Sequence, residues 1–83
     1  MTRNEANTFL AIILQTVAES PDGAPLGVMY AAMVGHISLE DFGALMLLCA
    51  DMGLVHSRNH VATLTAKGRD MVGKIDAHRR VAS

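Results

Sequence analysis

What most limits the fold of this chain is its punctuation. Pro21-Asp22-Gly23, Gly35 and Gly53 divide its first part into three stretches where apolar residues recur at helical spacing, and after Gly53 two short β-prone runs follow. Thr2-Arg3-Asn4-Glu5 has the form of a capping box, so a first helix starts there and runs to about Ser20. Its core stripe is Ala6, Phe9, Leu10, Ile13, Leu14 and Val17, and Ile12 falls well outside that stripe. Pro25 suits the first position of a second helix, in which Leu26, Met29, Tyr30, Met33 and Val34 share a face and Gly35 serves as a left-handed cap. Only His36-Ile37 separates it from Ser38, an N-cap with a carboxylate three residues on. The third helix then runs to about Met52, with Phe42, Leu45, Met46 and Cys49 inward.

Leu54-Val55-His56 and His60-Val61-Ala62-Thr63-Leu64 read as the strands of a hairpin, with Ser57-Arg58-Asn59 as its turn. Ile37 is placed to add a minimal third strand. Thr65 caps a fourth helix whose inward residues are Met71, Val72 and Ile75, and the chain ends in a solvated His78-Arg79-Arg80 tail. With 83 residues there is room for one core, so a single domain over 1–83 is expected. Phe9, Tyr30 and Phe42 are its only aromatic residues, and the core must be built from aliphatic side chains and Met. The expected fold is α+β: a three-helix core, a two-stranded hairpin and a C-terminal helix.

That order of elements resembles winged helix-turn-helix proteins. Gly53-Leu54-Val55 leaving the third helix, and Leu64-Thr65-Ala66-Lys67-Gly68-Arg69 entering the fourth, are similar to the wing region of bacterial regulators of the PadR and MarR types. Met29-Tyr30-Ala31-Ala32 is similar to the PadR pattern as well. The resemblance implies a small winged helix that binds double-stranded DNA, with the third helix in the major groove and the hairpin as a wing beside it. On that reading the candidate nucleic-acid contacts are Arg58, His56, His60, Lys67 and Arg69, and the function is that of a DNA-associated transcriptional regulator.

The third helix departs from this pattern. Glu40, Ala44, Leu47 and Asp51 fall on the face opposite its core stripe, with Asp41 and Leu48 beside them, and none is an Arg, Lys, Asn or Gln of the kind that reads base edges. Glu40 and Asp41 suit a helix N-terminus, but they would still face a polyanion. The net charge of −1 supplies no general attraction to nucleic acid, and Lys74, Arg79 and Arg80 join the other cations without forming one compact stripe. The alternative is a winged-helix protein-interaction module, an adaptor or inhibitor, with Ile12, Leu47, Leu48, Glu40 and Ala44 as candidate partner-contact residues. A homodimer is expected, with the first and fourth helices as its preferred interface.

Other chemistry is not expected. His56 and His60 would face one another across a three-residue turn, but two ligands are too few for a structural zinc site, so no metal and no cofactor are expected. Gly68-Arg69-Asp70-Met71-Val72-Gly73-Lys74 matches most of a phosphate-loop pattern, yet Ile75 follows it and it lies inside a helix. No nucleophile, base and orienting residue group together, which argues against an enzyme. The single Cys49 excludes an intrachain disulfide, and the apolar runs are too short to span a bilayer. A cytoplasmic location is expected.

Overall fold

A computed structural model describes the backbone of residues 2–82 and the side chains of residues 2–78. The chain forms α1 (Arg3–Ala18), β1 (Ala24–Pro25), α2 (Leu26–Met33), α3 (Leu39–Asp51), β2 (Val55–Arg58), β3 (Val61–Leu64) and α4 (Ala66–Ala82). It is a small α+β domain of four helices with an antiparallel three-stranded sheet in the order β1-β3-β2.

The helix starts follow from local capping. Glu5 N–H donates to Thr2 Oγ1 over 3.1 Å while Thr2 N–H reaches Glu5 Oε1, so both halves of the capping box form. Ser38 Oγ accepts from Asp41 N–H, and Thr65 Oγ1 accepts from Gly68 N–H. Ile13, Leu14 and Val17 of α1 pack with Phe42, Leu45, Met46 and Cys49 of α3 in one buried cluster, closed by Met29, Met33, Leu54, Val55 and Ala62. Met71, Val72 and Ile75 of α4 lean on this cluster half-buried.

The third strand is not at Ile37. Gly23 N–H bonds Ser20 carbonyl over 2.8 Å, and the turn this closes lays Ala24 and Pro25 antiparallel to β3, opposite Ala62 and Val61. Pro25 is therefore both an edge-strand residue and the N-cap of α2, with ψ at 129°, rather than its first helical residue. At the other end of α2 the cap is Val34 in a right-handed conformation, and Gly35 does not take positive φ. His36 and Ile37 N–H groups both donate to Met33 carbonyl, so the chain keeps curling and drops Ile37 into the core. Val34 is left 59% exposed, outside the face it was expected to share.

The hairpin turn is Asn59-His60, shorter than the expected Ser57-Arg58-Asn59 and ending one residue later. Asn59 (φ 53°) and His60 (φ 62°) form a two-residue left-handed turn, the handedness that matches strand twist. Arg58 thus leaves the tip and pairs with Val61, while His56 pairs with Thr63, so His56 and His60 do not face each other. His60 carbonyl accepts Leu26 N–H over 2.9 Å and ties this turn to the start of α2. The expected solvated tail is also helical, since α4 continues to Ala82; the side chains of Arg79 and Arg80 lie outside the described residues.

α3 ends in a Schellman motif, with Gly53 at φ 73° and Leu54 N–H bonded to Cys49 carbonyl. The start of α4 then takes up the carbonyls that follow. Lys67 Nζ donates to Met52 carbonyl (2.8 Å), Thr65 Oγ1 to Gly53 carbonyl and Thr65 N–H to Leu54 carbonyl. Gly68 permits the approach, because a Cβ there would overlap the Leu54 carbonyl oxygen and press on Leu64.

Gly68→Ala is expected to destabilise the fold by about 1–3 kcal/mol in urea unfolding, since the obstacle is backbone and cannot rotate away. Burial pushes the Cys49 thiol from its ordinary 9.0 up to about 11. The unfolded chain loses this proton first, so the contribution is intact below pH 9 and is lost as pH rises toward 11. The expected alkaline loss is about 1.4 kcal/mol for each pH unit in that window, and Cys49→Ala should flatten it in denaturation series from neutral to alkaline pH.

Candidate functional site

α3 shows its core stripe to the sheet and to α1, and the flank next to that stripe faces α2 across an open groove. Leu26, Gly27 and Tyr30 form the α2 wall. Leu39, Phe42, Gly43, Met46, Leu47 and Ala50 form the α3 wall, and Ser57 of β2 closes one side. The space amounts to about 400 Å³. Tyr30 and Phe42 meet at its base with ring centroids 5.5 Å apart and planes tilted by 52°, an arrangement that fixes the two helices against each other.

Each wall of the groove contains a glycine. Gly27 lies in the first turn of α2 and Gly43 inside α3, where glycine costs about 1 kcal/mol relative to Ala, yet a Cβ at either would meet nothing within 4 Å. No internal packing demands them. Leu39 and Leu47 stand at the edge of the groove 64% and 68% exposed, far more than large aliphatic side chains in a core.

The polar residues bordering this face carry one sign. Glu40, Ala44, Leu47 and Asp51 follow one another along α3 at helical spacing, and all are exposed. Between Arg3 and Arg58 the sequence contains no Lys or Arg, but it contains Glu5, Glu19, Asp22, Glu40, Asp41 and Asp51. Charge is therefore divided along the chain, with most of its cations from Arg58 onward.

The residues singled out from sequence fall into separate places. Leu47 borders the groove and Glu40 and Ala44 share its outer stripe, whereas Leu48 is exposed further round the helix. Ile12 is 40% exposed on α1, in a hollow with Ile75 and His78 of α4, and is not brought together with Leu47. Val55 is buried, so strand alternation puts His56 and Arg58 on the opposite face of the hairpin from Ser57 and the groove. Arg69 lies beside Thr63 and the Ser20-Pro21 turn, His60 sits in the hairpin turn, and Lys67 is committed to Met52 carbonyl. The five candidate nucleic-acid contacts thus form no single surface. Gly27, Gly43 and Leu39 were not singled out from the sequence; the signal available was a glycine interrupting each of two helical patterns.

Among the described residues no three His, Cys, Asp or Glu side chains converge as metal ligands, and no helix is long and apolar enough to cross a membrane. Comparison with protein families, curated proteins and solved structures gives no match.

Gly43→Ala is expected to raise stability by about 1 kcal/mol, because the added methyl improves helix propensity and meets nothing. Chemical denaturation of the purified variant checks this, and a loss of stability would mean that the space beside Gly43 is closed in solution.

Proposed function

We propose that the chain is a winged-helix binding module that holds a protein partner in the groove between α2 and α3 and does not read DNA with α3. The order α1-β1-α2-α3-β2-β3-α4 resembles that of winged helices, a likeness in which α3 would be the recognition helix and β2-β3 the wing. The observation that carries the reading is the exposed side of α3: its bordering charges are carboxylates, it lacks any cation, and it continues into an apolar groove. Base readout and phosphate contact both need donors there. An apolar cleft lined by Leu, Met and aromatic side chains suits burial of a partner's apolar side chains.

A second reading, a DNA-associated regulator, draws on the other side of the hairpin. His56 and Arg58 share that face and Arg69 lies next to Thr63, the cross-strand partner of His56. Such contact would be to phosphates and would leave α3 out of the interface. The α1–α4 homodimer remains compatible with either reading, because Ile12 lies away from both surfaces.

Nile red and duplex DNA distinguish these functions. The native chain is expected to bind the neutral dye in the groove, and Gly43→Met should abolish that binding while the fold persists by circular dichroism. Mixed-sequence duplex at about 50 and 200 mM salt is expected to leave the α3 amide resonances unshifted. Micromolar DNA binding that falls steeply with salt and shifts Gly43 and Leu47 would overturn the protein-binding reading.

A further inference from the structure

Resting on the groove reading above, we propose that the occupant is an amphipathic helix of a partner protein, with an apolar face bordered by Lys or Arg. The shape of the groove selects a helix. It follows α3 from Leu39 to Ala50, a run of about 16 Å or three helical turns, and touches β2 only at Ser57. An extended peptide held by main-chain pairing would need more of β2 than that one residue. Gly27 and Gly43 carry no side chain on the two walls, so a partner helix can sit closer there than longer residues would allow. Leu39 and Leu47 then flank it on the outer side.

Charge selects the chemistry of that helix. Glu40 and Asp51 stand on the outer stripe of α3 on either side of Leu47, neither α2 nor α3 contains a Lys or Arg, and Lys67 of α4, which reaches the end of α3, donates to Met52 carbonyl. A basic flank on the partner would complement this rim, whereas an acidic one would be repelled. The same rim disfavours a second copy of the chain, because a two-fold contact through this face brings the Glu40 and Asp51 carboxylates of the two copies together on helices that contain no Lys or Arg. A small polar metabolite fits poorly, since Ser57 and the Tyr30 hydroxyl are the only side-chain hydrogen-bonding groups among the lining residues.

The test uses two synthetic amphipathic peptides of about fourteen residues with Leu at the same positions, one completed with Lys and the other with Glu. Each is titrated into the isotope-labelled 83-residue chain. The Lys peptide is expected to shift the amides of Gly27, Gly43, Leu47 and Ser57 and to bind at least about tenfold more tightly than the Glu peptide. That preference should shrink between about 50 and 500 mM salt and in the double variant Glu40→Gln, Asp51→Asn. Gly43→Met should lose binding while remaining folded. Equal binding of the two peptides, shifts confined to other surfaces, or no binding of the Lys peptide would each overturn the proposal. If Nile red still occupies the groove in those cases, the partner chemistry alone is wrong; if the dye fails as well, the groove reading falls with it.

Discussion

The contact on which the rest of this molecule depends is the seat of α4 on the end of α3. A helix C-terminus leaves carbonyls without partners, and here Met52, Gly53 and Leu54 give theirs to Lys67 and Thr65 within a single turn of the next helix. The bare Cα of Gly68 lets the two backbones approach closely enough for this. The junction fixes where β2 departs, and so the position of the sheet beneath α3. It also sets the fate of Lys67, whose ammonium offsets the negative end of the α3 dipole instead of standing free.

Once α3 is held at its end and along its core stripe, its remaining surface is available to something else. Phe42, Leu45, Met46 and Cys49 satisfy the interior. The adjoining flank gains little from the fold: two leucines stand in solvent and a glycine lowers helix propensity without relieving a clash. Gly27 repeats that pattern across the gap. Features that weaken an isolated domain and converge on one cleft are a physical reason to look for a partner there.

Much of the architecture was legible in the sequence because it is specified within a few residues. The Thr2–Glu5 box, the Ser38 and Thr65 caps, the Gly53 stop and the inward stripe of α3 depend on spacing alone, and each forms as expected. The misplaced features depend on distant parts of the chain. Ala24-Pro25 is a strand only because β3 lies beside it, and Gly35 is not a left-handed cap because Ile37 is drawn into a core built by other segments. Ser57, Arg58 and Asn59 are all acceptable turn residues by composition; Asn59 with His60 supplies the left-handed pair that the strand twist requires. The groove was hidden for a similar reason. Leu47 could be assigned to an exposed face from the helical period, but a cavity defined by absent side chains on two helices needs their separation to be known.

The sheet is also unequal in what its two margins can recruit. The β1 margin is only two residues long, and one is Pro25, which has no N–H to offer a neighbour. Beyond β2 lies a four-residue margin of ordinary backbone. Strand addition is therefore directional: a second copy joining through β2 would satisfy the open margin of both molecules and leave each stack ending in proline. Association of that kind would terminate at a pair, since a further copy would meet only the proline margin and no open strand on which a fibre could grow.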